Sequence, residues 1–124
     1  MGIAVGWGQD CVCDPWYSLG TADMLDIAHM GLHVAQMTSP EEMRRAFDMV
    51  TSVNASIIGL DGYGLAEGAV TSLVVLDAGD PIEAVRLRPD RLAVISKGKG
   101  VSRQARNDAR LALRDRSDSV RRRH

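Results

Sequence analysis

Asp10 closes a short apolar stretch. Ile3 to Val5 are small and apolar, Trp7 extends the run, and Gly8-Gln9-Asp10 ends it. The pattern predicts a short buried strand with polar residues at its C-terminal end. The C-terminal end of a strand is where barrel enzymes place catalytic groups. Asp10 can equally cap a loop, and the residues alone favour that plainer role. Trp16 lies in a predicted loop from Cys11 to Gly20, broken by Asp14-Pro15. Its indole could pack flat on a ring ligand or cover a core. His29 and His33 stand i, i+4 on a predicted helix, a spacing that could turn two imidazoles toward a zinc. No third ligand stands at motif spacing, with Asp26 the nearest carboxylate, so packing or hydrogen bonding is the expected role. Cys11 and Cys13 point to opposite faces of an extended segment, which disfavours joint binding of a soft metal. They are also too close for an unstrained disulfide and read as reduced thiols.

The elements that must position these groups follow from periodicity and punctuation. Thr21 is the expected cap of a helix from about Ala22 to Met37, with Met24, Ile27, Ala28, Leu32 and Ala35 as its apolar stripe. Ser39-Pro40-Glu41-Glu42 opens a second helix with a capping box, and Met43, Phe47 and Val50 form its buried face. A third helical piece runs from Ser52 to Ile58 and stops at Gly59. Gly62, Gly64 and Gly68 mark a turn region. Ser72 to Leu76 is strand-like, Asp80-Pro81 starts a short helix to about Leu87, and Pro89 ends it. Arg91 to Ser96 is a second strand, Lys97-Gly98 a turn, and Lys99 to Ser102 a return strand. Neither Gly62-Tyr63-Gly64 nor Gly98-Lys99-Gly100 has the strand-to-helix context of a phosphate loop. The methionines at 24, 30, 37, 43 and 49 read as core filler.

Composition narrows the classes. Of 124 residues, 45% are hydrophobic and 25% charged, which reads as a globular chain. Residues 1–102 carry 7 basic and 13 acidic side chains, whereas residues 103–124 carry 8 arginines and 3 aspartates. An acidic body argues against nucleic acid as a specific partner, and the basic tail needs only non-specific charge attraction. An anion-binding module built on that tail is the weakest of the functional readings. No apolar run reaches about 18 residues, so no membrane partner is expected. No secretory signal pattern opens the chain, and with two reduced thiols the expected location is cytoplasmic.

The run Gly8-Gln9-Asp10-Cys11-Val12-Cys13-Asp14-Pro15-Trp16-Tyr17-Ser18-Leu19-Gly20 resembles the last barrel strand and following loop of bacterial cytosine deaminases of the amidohydrolase superfamily. The helix Ala28 to Met37 (AHMGLHVAQM) and the stretch Gly59 to Arg103 continue the resemblance. It implies an α/β fold, namely the C-terminal fragment of a metal-dependent (β/α)8 barrel plus returning β-sandwich strands. A whole barrel needs about 200 residues or more, so this chain cannot form one. The expected division is 1–60 for the last barrel strand and closing helices, 61–102 for the β-sandwich segment, and 103–124 for a basic tail, either a frayed helix or disordered.

The resemblance also implies roles. Asp10 would be the catalytic residue and a metal ligand, taking a proton from metal-activated water and passing it to the leaving ammonia. Trp16 would bind substrate by packing on a planar heterocycle. The family usually has His before the catalytic Asp; Gln9 keeps hydrogen bonding there but cannot relay protons. Cys11 stands at a position that varies among relatives. Ser72 replaces an Asp that commonly precedes the LVVL strand. The implied reaction is deamination of a cytosine- or isoguanine-type heterocycle, at a non-peptide C–N bond, with Fe or Zn as the divalent metal. The family's His-x-His pair is missing, so the chain alone is expected to be inactive and to bind no metal. The alternative is a non-catalytic remnant that associates with itself or with a complementary N-terminal chain.

Overall fold

The computed structural model describes residues 2–106, and the backbone of two residue pairs at 109–110 and 119–120. It is an α/β arrangement of four short helices and antiparallel strands. Helix α1 spans Met24–Val34 and buries Leu25, Ala28 and Leu32, a stripe at helical spacing. It starts two residues later than periodicity predicts, because Ala22 adopts a left-handed φ of 59°. Asp23, not Thr21, is the N-cap, accepting from the Leu25 N–H at 2.9 Å. Thr21 supports the turn instead, accepting the Asp23 N–H and donating to Asp26 Oδ2 at 2.6 Å. The helix also ends earlier than Met37. Gln36 turns left-handed (φ 54°), and the Gln36 and Met37 N–H groups close back on the His33 and Leu32 carbonyls.

Helix α2, Pro40–Met49, starts as the sequence predicts. Ser39 Oγ accepts the Glu42 N–H, and Glu42 Oε2 accepts the Ser39 N–H at 2.9 Å. Helix α3, Ser52–Ile57, is followed by Gly59 at φ 66°, which lets the Leu60 N–H reach the Ala55 carbonyl at 2.8 Å. Helix α4, Pro81–Leu87, is capped by Asp80, whose carboxylate accepts the Glu83 N–H at 2.8 Å. The core lies where α1, α2 and α4 meet. Ala28, Ala46 and Ala84 are almost wholly buried and let the helices approach, while Val85 fills the centre. Met24, Met37, Met43 and Phe47 pack around this cluster.

Strands β1 (Leu73–Leu76), β2 (Arg91–Ser96) and β3 (Lys99–Arg103) form one antiparallel sheet in that order. Lys97 (φ 48°) and Gly98 (φ 75°) make the two-residue turn between β2 and β3, the left-handed pair such hairpins need. Ser72 Oγ, just before β1, accepts the Lys97 N–H at 3.0 Å and ties that turn to the neighbouring strand. Arg91 at the start of β2 bridges to Asp23 at 2.6 Å, tying the sheet to the start of α1. Ala109–Arg110 (β4) pairs with Ser119–Val120 (β5), where a frayed helix or disorder was expected. The other residues from 107 onward, and with them most of the expected flexible tail, lie outside the described residues. No helix among the described residues is long and apolar enough to cross a membrane.

The N-terminal stretch corrects the first expectation. Residues 2–10 form no strand, and Ile3 and Val5 are exposed rather than buried. A strand exists only as part of a ladder, and no described strand lies beside this one. Its backbone is satisfied at one point by the helices. The Trp7 N–H donates to the Met49 carbonyl at 3.1 Å, and Asn54 Nδ2 donates to the Trp7 carbonyl. The Trp7 indole lies against Gly31, where an added Cβ would fall 2.5–2.8 Å from three ring carbons.

Two measurements test this packing. Gly31→Ala should destabilise the fold by about 1–3 kcal/mol through overpacking against Trp7, read by chemical denaturation. Ser39→Ala should cost about 0.5–2 kcal/mol by removing the α2 cap. The Ser39 N–H also holds the Glu42 carboxyl below its ordinary pKa. That contribution is fully present above the unfolded-state value of about 4.3 and is lost as pH falls through the depressed folded one. Glu42→Gln should therefore remove part of the stability change measured across that acidic window.

Candidate functional site

The loop from Asp10 to Gly20 carries both residues singled out from the sequence. Its geometry is set by Asp14. One carboxylate oxygen, Oδ1, accepts the N–H groups of Trp16 (2.9 Å) and Tyr17 (3.0 Å). The Asp14 N–H reaches the Tyr17 carbonyl at 3.3 Å. This is the side-chain turn that Asp makes readily, and Pro15 inside it removes one degree of freedom. The donated hydrogen bonds, that from Tyr17 foremost, lower the Asp14 pKa.

The turn leaves Trp16 90% exposed. It does not cover a core; Trp7 does that. A large planar side chain is thus presented to solvent on a loop with a built-in brace. Asp10 is also exposed. Its carboxylate faces the Cys11 thiol, whose pKa is raised chiefly by a hydrogen bond to Asp14, then by burial and the Asp10 charge. Cys11 and Cys13 are free thiols, as their spacing requires.

A second feature, not expected from the sequence, lies next to this loop. A cleft of about 320 Å³ runs between the loop and α1, lined by Gln9, Tyr17, Leu19, Thr21, His29, His33 and Arg88 among others. Asp10 and Trp16 do not line it. Gln9 Oε1 is buried and has no hydrogen-bond partner among the described residues. Arg88 pairs with Asp26 at 3.0 Å. His29 Nδ1 lies 3.2 Å from the Val85 carbonyl, and His33 Nε2 lies 3.3 Å from His29 Nε2. A carbonyl only accepts, so His29 donates from Nδ1, and His33 donates to the free Nε2. Burial, then the Arg88 charge, lowers the His29 pKa. The hydrogen-bonding role expected for this pair is present. The i, i+4 spacing was legible; the cleft was not, because it needs Gln9 and Arg88, which lie far from the pair in sequence.

A metal ion has little to hold it beside Asp10. Among the described residues, no group of three or more His, Cys, Asp or Glu side chains could hold a metal ion. Asp10 offers a single exposed carboxylate. Among the described residues, Asp10 is therefore not part of a three-ligand metal centre.

Comparison with known proteins accounts for the resemblance. The model of the Amidohydrolase family matches residues 1–111. N-isopropylammelide isopropyl amidohydrolase of Pseudomonas sp. (strain ADP) is 29% identical over 99 residues, covering 79% of this chain and 25% of that protein. Among solved structures, 5-methylcytosine deaminase from Klebsiella pneumoniae liganded with 5-fluorocytosine superposes with a TM-score of 0.80 at 37% identity. That match covers 88% of this chain and 27% of the deaminase. N-isopropylammelide isopropylaminohydrolase from Burkholderia multivorans ATCC 17616 gives 0.78 and 37%, over 82% of this chain and 26% of its own. The chain spans about a quarter of the length of these relatives. With nearly its whole length matched at the level of both sequence and fold, the chain belongs to the amidohydrolase family of hydrolases acting on C–N bonds, a family that is in general metal-dependent.

Proposed function

We propose that the chain is the C-terminal segment of a metal-dependent (β/α)8 barrel hydrolase that deaminates an amino-substituted heterocycle of the cytosine or isoguanine type. The observation that carries this reading is the superposition, at 37% identity over 88% of the chain, on a cytosine-ring deaminase liganded with a pyrimidine. Residues 1–60 would supply the last barrel strand and closing helices, 61–102 the returning sandwich strands, and 103–124 a basic tail. Asp10 would accept the proton of the attacking water and return it to the departing amine, so that ammonia rather than an amide anion leaves. Trp16 would lie on the substrate ring, a contact worth about 0.5–1.5 kcal/mol beyond area burial. Its exposure on a braced loop fits that task better than a packing role. The metal, Fe or Zn, would take Asp10 as one ligand and would need its others from the rest of the enzyme. Two free thiols fit a reducing, cytoplasmic setting.

A second reading is a non-catalytic remnant that associates with another chain. The exposed apolar side chains favour it: Ile3 at 92%, Val34 at 79% and Leu19 at 77% stand uncovered. A complementary N-terminal chain could give the Ile3–Val5 segment the ladder partners it lacks.

Several outcomes separate these readings. The purified chain alone should release no ammonia from cytosine; metal-dependent release would overturn the expectation of inactivity. When the missing part is supplied from a close relative, Asp10→Asn should lower kcat by about 10²–10⁴ with the fold intact. Near-normal turnover in that variant would remove Asp10 from the chemistry. Trp16→Ala should raise KM more than it lowers kcat. Asp14→Ala should speed hydrogen exchange at the Trp16 and Tyr17 amides. In a Cys13→Ser background it should also speed alkylation of Cys11, because the thiol loses the hydrogen bond that raises its pKa.

A further inference from the structure

We infer that His29 and His33 form a two-imidazole chelating site for a zinc-type divalent transition metal, on the cleft side of α1. The site is distinct from Asp10, which does not line the cleft, and it stands whether or not the chain belongs to a deaminase. Three observations carry it. The first is distance. The two Nε2 atoms lie 3.3 Å apart, with ring centroids at 4.8 Å and planes at 69°. A tetrahedral ion bound at about 2.0–2.1 Å holds two nitrogens roughly 3.3–3.4 Å from each other. The pair therefore already has the bite that such an ion requires.

The second observation is orientation. His29 directs Nδ1 at the Val85 carbonyl, so its Nε2 lone pair faces His33. A ring N–H given to a backbone carbonyl is the arrangement that fixes the tautomer and direction of metal-bound histidines. His33 is exposed, so its proton can move to Nδ1 and face water, freeing Nε2 for the ion. Metal and shared proton then compete for the same two nitrogens.

The third observation is space and charge. The cleft of about 320 Å³ in front of the pair leaves room for water to complete the coordination sphere. Only water can do so among the described groups, since no third His, Cys, Asp or Glu joins the pair. Arg88 faces the same cleft, and its charge, which opposes a cation at His29, is offset in part by Asp26, paired with it at 3.0 Å. With two protein ligands the site is open and binds less tightly than closed four-ligand sites.

The test uses the full chain carrying Cys11→Ser and Cys13→Ser, which removes the thiols as competing ligands. Zn2+ is titrated by calorimetry and by long-range 1H–15N spectra of the imidazoles. Zinc should shift the Nε2 resonances of His29 and His33 together, and His33→Ala should weaken binding by at least about tenfold. Unchanged Zn2+ affinity in His33→Ala, or shifts confined to His124, would overturn the site. If His33→Ala fails to melt cooperatively, the Nε2 resonances of the parent decide the matter alone.

Discussion

The attachment of Trp7 to the helices is the constraint on which the candidate site depends. Residues 2–10 have no strand beside them, so nothing regular holds the segment that leads into the Asp10 loop. Its main hold is Trp7. The Trp7 N–H bonds to the carbonyl at the end of α2, its carbonyl accepts from Asn54 on α3, and its indole lies on Gly31 of α1. Three helices thus converge on a single side chain and its peptide. A tryptophan serves here because its large apolar face repays ordering while its backbone remains free to hydrogen-bond. Two of the contacts are polar and shielded, so losing either would leave a donor or acceptor unpaired.

From that anchor the loop runs outward and is braced again at Asp14. Between the two fixed points, Asp10 and Cys11 share a small acidic neighbourhood, and beyond the second, Trp16 projects into solvent. The same loop forms one wall of the cleft in front of His29 and His33. The loop therefore carries an exposed carboxylate and an exposed indole away from the cleft, while Tyr17 and Leu19 face the imidazoles of α1 across it. The helices make this possible by their small residues. Ala28, Ala46 and Ala84 bring α1, α2 and α4 close enough for the Val85 carbonyl at the centre to reach His29.

Local signals in the sequence were read well where local physics decides. The capping box at Ser39 and Glu42, the Asp80-Pro81 start, the Lys97-Gly98 turn and the three strands from 73 to 103 all form at or within a residue of their expected places. Each depends on groups a few residues apart. The ends of α1 depart from the periodicity for an equally local reason that composition hides. Ala22 and Gln36 take left-handed backbone that alanine and glutamine do not advertise, so neither end carries the glycine that usually marks such a stop. Ile3 to Val5 reads as a strand because it has strand composition, but a strand needs a neighbour.

By itself, then, the sequence determined which segments are helical, where the hairpin turns and which family signature the Asp10–Trp16 loop carries, since caps, turns and periodicity act over a few residues. The tertiary structure decided the rest. It assigned Trp7 to the core and Trp16 to the surface, although both are tryptophans in the same short stretch. Among the described residues it placed Asp10 in no group of three metal-binding side chains, and it brought Val85 and Arg88 to His29 across more than fifty residues of chain. Those outcomes depend on how α4 packs against α1, and no local pattern in either helix encodes the distance between them.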